Sequence, residues 1–387
     1  MSDSIDVVRS LTSWIRAECT NIDQSRELPV AVIDELRRAG VFRMLAPRDL
    51  GGAETDPLAF FDVVEETSCA DGSVGWIVMI GGSYASLGGL LPAQGAAEIF
   101  SDPSTISVGA FKPQGTAVEV DGGYRVSGQW SLGSGSGHAN WFVAGCVVVR
   151  NGEPVKGSNA VPVVREVFMP ASAVQVIDTW NSTGLRGTAS HDYRADDIFV
   201  PSSRTFWFQE PPSCNRSLYR MPSLAMFATF ISAVPLGIAR HALDSFITQA
   251  RSKTLAMGTT VVAERAVAQA IVGRAHALVT GGRTYVRAVL DDLWSRVDAG
   301  HAPTLGDRAA LWTAATHAAH HALEAIQLLY GAAGADAVYA RCPLDRCLRD
   351  ARTAVQHVVL QQNNYEYAGR LLLNAEPPWV WMMDHRG

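Results

Sequence analysis

One stretch of the chain combines hydroxyl, glycine and aromatic side chains at a spacing that could hold a flat polar ring. It covers residues 129–141 and places Ser131, Ser134 and Ser136 among glycines, between two tryptophans. Hydroxyl groups in such a loop can bond to the polar edge of a ring, while aromatic side chains cover its faces. An ordinary Gly/Ser connection between two strands accounts for the same residues. Other parts of the chain must therefore decide between the two interpretations.

The residues on either side of this loop alternate as they do in β-strands. Val118, Val120, Tyr124 and Val126 flank an Asp-Gly-Gly turn and predict a β-hairpin, and a further strand is predicted at 141–149. The Gly-Ser-Gly run inside the loop superficially resembles a dinucleotide-binding fingerprint, which requires a helix after its glycines. Because a strand follows here, we reject that interpretation.

Composition limits the classes of partner. The chain has 387 residues, of which 48% are hydrophobic and 18% charged, so it can bury a large core and divide into two or three domains. Its formal net charge of -6, without a long Lys/Arg block, argues against nucleic acid or an anionic membrane as the main partner. A small molecule is the expected ligand.

The cysteines and the amino-terminal residues indicate the compartment. Six cysteines are scattered without a CxxC pair, which predicts neither disulfides nor a zinc site. The first residues lack the basic and apolar regions of a secretory signal, and we expect no uncharged apolar run of the length of a membrane span. These observations predict a cytoplasmic protein.

The hydrophobic period divides the chain into three parts and predicts an α+β fold. Residues 1–106 have helical signals, residues 107–212 alternate with the period of β-strands, and residues 213–387 return to long helices. In the last part, apolar residues recur every three or four positions and cover nearly all faces of the helices. This pattern is typical of a helical bundle that also packs against other subunits.

Local signals add further elements within these parts. Strands are predicted at 161–168, 174–177 and 197–200. In the first part, Asp71 or Ser73 is the expected cap of a helix that contains the apolar run starting at Trp76.

Several short motifs are spread across nearly the whole chain. They are Leu45-Ala46-Pro47 with Leu50-Gly51-Gly52, residues 183–192 followed by Ile198-Phe199-Val200-Pro201, Gln327 with Gly331 and Gly334, Pro343-Leu344-Asp345-Arg346, and Arg349-Asp350-Ala351. Together they resemble the acyl-CoA dehydrogenase superfamily. The resemblance implies an N-terminal helical domain, a central β-barrel domain and a C-terminal four-helix bundle. It also implies a homotetramer.

Within that superfamily, the loop at 130–141 resembles two-component flavin-dependent monooxygenases of group D, which include hydroxylases of indoles, indole-3-acetate and phenols and the dibenzothiophene monooxygenase. The dehydrogenases commonly carry a Tyr-Glu-Gly base about eight residues after the Arg-Asp pair. At that place this chain has Val355-Gln356-His357-Val358. A histidine can donate or accept a proton beside a flavin peroxide without adding negative charge. Glu366 is the remaining candidate for a dehydrogenase base.

This resemblance implies that reduced flavin, either FAD or FMN, reacts with O2 to a C4a-hydroperoxide and hydroxylates an aromatic or heteroaromatic small molecule, with indole-like substrates favoured. No βαβ unit for a nicotinamide is apparent, so a separate NAD(P)H-flavin reductase must supply the reduced flavin. An N-oxygenase of an amino sugar and an acyl-CoA dehydrogenase or oxidase are alternatives. A non-catalytic flavin-binding protein is the alternative outside enzymes.

The resemblance also assigns roles to single residues. Ser134 would bond near flavin N5 and the peroxide, and His357 would bond the distal oxygen or deprotonate the substrate. Trp130 and Ser131 would flank the ring, with Trp180 as a further candidate. The flavin phosphates would be bound by Arg251, and by Gln327 and Gly331 from a neighbouring subunit.

The substrate wall departs from the branch pattern. Several relatives have an additional histidine where this chain reads Gly81-Gly82-Ser83-Tyr84. Either Ser83 or Tyr84 replaces its hydrogen bond, or the substrate needs no base there, which suits an indole or a sulfide better than a phenol. Phe227 and Phe230, with Phe206, Trp207 and Phe208, are expected to line a substrate pocket or to belong to the core.

Other polar residues have simpler explanations. His138 is expected to support the loop or a subunit contact. His317, His320 and His321, with Glu324 one turn on, resemble a metal-binding face, but no matching carboxylates are apparent, so no metal site is predicted. Arg186 and Asp192 are expected to make structural hydrogen bonds. A role near the ligand is the alternative for both residues.

Overall fold

The computed structural model describes residues 4–157, 161–254 and 260–375. Helices come first, a sheet follows and long helices end the chain, as predicted. The helices are α1 (Ser4–Ser25), α2 (Val30–Arg38), α3 (Pro57–Ala70), α4 (Gly72–Ala85), α5 (Ala93–Phe100), α6 (Ser217–Arg220), α7 (Ser223–Ser252), α8 (Ala266–Asp298), α9 (Leu305–Ala333), α10 (Pro343–Ala354) and α11 (Asn363–Leu372). The strands are β1 (Ser107–Val120), β2 (Gly123–Gly133), β3 (Trp141–Arg150), β4 (Glu153–Pro154), β5 (Val164–Pro170), β6 (Gln175–Ile177), β7 (His191–Pro201) and β8 (Thr205–Phe206).

Helix α4 is buried along its whole length and carries several residues of the candidate site. Asp71 caps it, as one of the two expected candidates, and accepts hydrogen bonds from the backbone N–H groups of Ser73 at 2.8 Å and Val74 at 3.1 Å. Near its other end, a Cβ on Gly82 would lie 2.4 Å from the ring of Phe60. Glycine therefore allows α4 to pack closely on α3, which fixes the position of its last turn.

The sheet contains the predicted hairpin. Strands β1 and β2 pair antiparallel up to Val120 and Gly123, and Gly122 takes the positive φ of 76° that this tight turn needs. The strand order is β6-β7-β2-β1-β3-β5-β8, with β1 and β3 parallel. This order does not return from β8 to β6, so among the described strands the expected barrel takes the form of an open mixed sheet.

Helix α7 packs against the three other helices of the bundle formed by α7, α8, α9 and α10. An 18-residue window of it has a mean hydropathy of 1.5, which by length and composition would suffice to cross a membrane. The expectation that the chain has no such run is therefore wrong for this helix. Of that window, 83% is buried inside the fold, where α7 packs against α3, α4 and its bundle partners.

A buried ionic cluster joins the three parts of the chain. Arg346 in α10 donates to the Asp71 carboxylate at the start of α4, and its Nε lies 3.6 Å from Asp350. The Asp350 carboxylate accepts a hydrogen bond of 2.6 Å from the backbone N–H of Leu185, in the loop before β7. Burial raises the pKa of Asp350 to about 6. Arg346 therefore neutralises two buried carboxylates, that of Asp71 at the start of α4 and that of Asp350 in α10.

The buried carboxyl group of Glu166 in β5 should make the folded protein less stable as the pH rises. Its side chain is buried, and Oε2 has no hydrogen-bond partner among the described residues. Burial raises the pKa of this carboxyl well above its usual range, so the folded state holds a proton that the unfolded chain releases at lower pH. The unfolding free energy should therefore fall as the pH rises above the ordinary glutamate pKa.

Glu166→Gln should remove this dependence, so the variant should gain stability over the parent protein as the pH rises from about 5 to about 8. Thermal unfolding at both pH values measures the gain. Glu153→Gln, at an exposed position in β4, is the matched control and should show no such difference. An equal effect of Glu166→Gln at both pH values would show that Glu166 is not protonated in the fold.

Candidate functional site

The loop after β2 is held by a chain of buried hydroxyl groups. Ser134 Oγ lies 2.7 Å from Ser190 Oγ, which lies 2.7 Å from Thr188 Oγ1. Thr188 donates its own proton to the Leu185 carbonyl at 2.8 Å. Ser190 must then donate to Thr188, and Ser134 to Ser190. Trp76 Nε1 in α4 donates to Ser134 Oγ at 3.0 Å, which completes the chain.

The direction of these bonds decides what Ser134 can offer to a ligand. Its proton is used within the protein, and one lone pair is taken by Trp76. Ser134 Oγ therefore has one lone pair left, which can accept a hydrogen bond but cannot donate one. Ser134 is therefore suited to a ligand N–H. The predicted hydrogen bond to a peroxide could come from Ser134 only if this chain of hydroxyls reversed.

Trp130 does not have the position expected from the sequence. Its side chain is fully buried, its Nε1 donates to the Gly145 carbonyl at 2.8 Å, and its ring stacks on Tyr193 with centroids 5.4 Å apart. It has no surface left for a flavin ring, so the expectation that it flanks the ring is wrong for this conformation. The pairing of β2 with β7 is irregular between Trp130 and Gly133, and this irregularity leaves Leu132 outward although it lies two residues from the buried Trp130.

Leu132 is the apolar side chain that this loop exposes. It is 58% exposed and has a φ of 68°, a conformation that a leucine rarely adopts. Ser131 beside it is half-buried. Sequence reasoning missed Leu132 because its position in the alternation gives no sign of a strained backbone. The half-buried Trp180 bonds through its Nε1 to the Leu185 carbonyl at 3.1 Å.

His357 lies between two aromatic rings. Its ring centroid is 5.9 Å from that of Trp76 and 6.1 Å from that of Phe227. Its Nδ1 accepts a hydrogen bond of 3.4 Å from the backbone N–H of Val359, which places the ring proton on Nε2. Burial lowers the pKa of His357 to about 4. At neutral pH the ring is therefore uncharged and offers one N–H donor.

Trp76 joins the two predicted catalytic residues, since it bonds to Ser134 and packs beside His357. Sequence reasoning read Trp76 only as part of an apolar helix. Its indole N–H was the available signal, because a buried tryptophan usually needs an acceptor.

The four predicted substrate residues lie together. Ser83, Tyr84, Phe227 and Phe230 all line one cavity between α4 and the start of α7, and the ring of Phe227 also lies beside that of His357. The structure therefore places the hydroxyl chain, the histidine and an aromatic cavity in one continuous series. Of the other aromatic residues considered, Phe208 lines the same cavity.

The predicted phosphate residues lie elsewhere, at an end of the bundle. Arg251 is exposed in the last turn of α7, and Gln327 and Gly331 are exposed on α9. Lys253 Nζ donates to the Ala333 carbonyl at 2.9 Å, so the ends of the two helices meet. These surfaces are open in the single chain, and their contact with a flavin tail stays a prediction.

The other polar residues considered from the sequence lie apart from the site or make hydrogen bonds within the fold. Glu366 is exposed and bonds to Arg370 at 2.6 Å. His138 Nε2 lies 3.0 Å from the Leu28 carbonyl, and Arg186 donates to the carbonyl of Asp23 at 3.0 Å. In the group that resembles a metal-binding face, His317 and His321 lie with ring centroids 3.8 Å apart, and His320 Nε2 lies 3.0 Å from the Leu360 carbonyl. Within the described part of the chain, no three His, Cys, Asp or Glu side chains form a group that could hold a metal ion.

Comparisons with known proteins agree over nearly the whole chain. Residues 6–94 match the family description "Acyl-CoA dehydrogenase, N-terminal domain", and residues 229–362 match "Acyl-CoA dehydrogenase, C-terminal domain". The indole-3-acetate monooxygenase of Pseudomonas putida is 32% identical over 363 residues, which cover 94% of this chain and 91% of that protein.

Two further matches, one of sequence and one of structure, come from Rhodococcus strain RHA1. The oxygenase subunit HsaA of a flavin-dependent monooxygenase from Rhodococcus jostii (strain RHA1) is 27% identical, covering 90% of this chain and 92% of that protein. The crystal structure of the 3-HSA hydroxylase from Rhodococcus sp. RHA1 has a TM-score of 0.92 at 25% identity and covers 98% of this chain and 99% of that chain. The chain therefore belongs to the acyl-CoA dehydrogenase superfamily and, within it, to the flavin-dependent monooxygenases.

Proposed function

We propose that this protein is the oxygenase component of a two-component system and hydroxylates an aromatic or heteroaromatic small molecule, with indole-like substrates favoured. The observation that carries the proposal is the position of His357. It is uncharged, offers an Nε2 proton, and lies between the Ser134 loop and an aromatic cavity.

The residues fit a reduced flavin at the Ser134 loop. Bound reduced flavin would activate O2 and supply the oxygen atom. Ser134 Oγ would accept a hydrogen bond from a ring N–H, since its remaining capacity is that of an acceptor. The exposed Leu132 would cover part of the flat ring, and Ser131 lies beside it. Arg251, Gln327 and Gly331 would bind the phosphate end.

His357 would then hold a proton where the oxygen atom is transferred. With a pKa of about 4, it is a weak base at neutral pH, so a role as donor is better supported than removal of a substrate proton. Trp76 and Phe227 pack beside the half-buried ring and shield part of it from water. Exclusion of water matters because an exposed oxygenating species would be lost as hydrogen peroxide.

The same observations disfavour the dehydrogenase alternative. A dehydrogenase needs a carboxylate to remove a proton next to a thioester carbonyl. The place of that base is held by His357, and Glu366 is exposed and paired with Arg370. No particular observation favours an N-oxygenase of an amino sugar, because the cavity lining is mainly aromatic.

We also infer a homotetramer and a separate NAD(P)H-flavin reductase, acting together in the cytoplasm. The relatives named as oxygenase subunit or component support the need for a reductase. Exposed apolar side chains in the last part of the described chain support contacts between subunits: Val338 is 68%, Leu372 84% and Leu373 81% exposed.

An assay with a flavin reductase tests this function. Indole should be hydroxylated when the protein, NAD(P)H, a reductase, O2 and either FMN or FAD are present, and chromatography detects the product. Omission of the reductase should abolish product formation, and chemically reduced flavin should restore it. Reduction of the bound flavin by butyryl-CoA without O2 would instead support a dehydrogenase and refute the proposal.

A further inference from the structure

The cavity next to His357 is lined by aromatic and uncharged side chains. Its main residues are Ser83, Tyr84, Phe111, Phe208, Phe227 and Phe230, and the others are serine, leucine and methionine. The rings pack on one another: Tyr84 stacks on Phe111 at 4.8 Å, and Phe111 meets Phe208 edge-on at 5.1 Å. Among the described residues that line this cavity, none carries a charge.

Some hydroxyl groups of the cavity already donate a hydrogen bond within the protein, and that of Ser83 does not. Tyr84 donates to the Gly109 carbonyl at 2.9 Å, and Ser86 donates to the Ser83 carbonyl at 2.7 Å. Ser83 is 5% exposed, and its Oγ has no hydrogen-bond partner within the described structure. A helical serine usually bonds to the carbonyl one turn earlier, so this unpaired hydroxyl is unusual. A buried hydroxyl without a partner costs free energy that a ligand can recover.

Charge decides which ligands the cavity can accept. A carboxylate placed among these rings would lose its hydration and find no cation in return. A neutral ring pays no such cost and would pack against the aromatic side chains, which must move apart to admit it because the cavity has room for about one water molecule as it stands. A single polar group on that ring, such as an N–H, could bond to Ser83.

We propose that the substrate is a flat, uncharged aromatic molecule without a carboxylate, and that Ser83 selects it by accepting a hydrogen bond from a ring N–H. The proposal rests on the hydroxylase function argued above and narrows its substrate class. The proposed substrate differs from indole-3-acetate, the compound for which one relative is named, because indole-3-acetate carries a carboxylate on its side chain.

Equilibrium binding to the full-length protein tests both parts without depending on turnover. Calorimetry should give a dissociation constant for indole at least about tenfold lower than for indole-3-acetate or for benzofuran. Benzofuran has the ring shape of indole but an oxygen in place of the N–H. Ser83→Ala should reduce the preference for indole over benzofuran to about twofold or less.

Ser73→Ala is the matched control, because Ser73 is another buried serine of α4 whose hydroxyl has no partner, but it lies outside the cavity lining. It should leave the preference unchanged. Binding of indole-3-acetate as tight as that of indole would overturn the neutral-substrate proposal. An unchanged indole-to-benzofuran ratio in Ser83→Ala would overturn the role of Ser83.

The comparison of the three ligands on the unaltered protein keeps the substrate class testable even if a variant fails to fold. Hydroxylation of the same three compounds with reduced flavin and O2 is measured in parallel. The predicted order of binding without any oxygenation would support the cavity assignment and count against the hydroxylase function. Oxygenation of indole-3-acetate in preference to indole would support the hydroxylase function and count against the cavity assignment.

Discussion

Replacing His357 with alanine should lower the amount of hydroxylated product per reduced flavin consumed on the order of a hundredfold, and release the oxygen as hydrogen peroxide instead. The variant loses the Nε2 donor between Trp76 and Phe227, and water can fill the space. Product by chromatography and peroxide by a coupled assay measure the ratio directly.

His357→Gln is the informative companion, because its amide can present an N–H near the position of Nε2 and should restore part of the coupling. His301→Ala, at an exposed histidine after α8, is the matched control and should leave coupling unchanged. Normal coupling in His357→Ala would show that another group holds the proton.

The depressed pKa of His357 also predicts the shape of a pH profile. Because burial lowers the pKa to about 4, the ring stays neutral across the usual assay range. Coupling should therefore show no step near the ordinary histidine pKa of about 6.5. The stability that comes from the neutral ring is present above that ordinary value and is lost as the pH falls toward 4.

Arg346→Met should cost about 3–5 kcal/mol of unfolding free energy, because it leaves the carboxylates of Asp71 and Asp350 buried without their cation. These carboxylates lie where α4, α10 and the loop before β7 meet, so the loss should loosen the contact between the parts of the chain. Denaturant unfolding measures the change.

Arg352→Met, at an exposed position of the same helix, is the matched control and should change stability by less than about 0.5 kcal/mol. A similarly small effect of Arg346→Met would show that water, and not the arginine, stabilises the two carboxylates.

Much of the fold could be predicted because its signals are local. The hairpin at Gly122 follows from alternation around a turn that needs a positive φ, and the start of α4 follows from the capping preference of Asp71. The resemblance to a known superfamily supplied the arrangement of the parts, which no local signal contains.

The site was harder to predict, because its residues are distinguished by tertiary contacts. In a regular strand Trp130 and Leu132 would share one face, so the alternation could not tell that irregular pairing with β7 leaves Trp130 inward and Leu132 outward. Helix α4 is buried on every side, so its sequence has no polar face that could single out Trp76 or Ser83. The direction of the Ser134 hydrogen bonds depends on Thr188 and Ser190, more than 50 residues further along the chain.

A single-turnover experiment with labelled oxygen tests whether this protein inserts one atom of O2 into an aromatic substrate. Protein is mixed without O2 with reduced flavin and indole, and buffer containing 18O2 is then added. We expect a hydroxylated product that carries one labelled oxygen atom, and less than one equivalent of hydrogen peroxide per flavin oxidised. Flavin oxidation that yields only peroxide, or a product whose oxygen comes from water, would contradict this function.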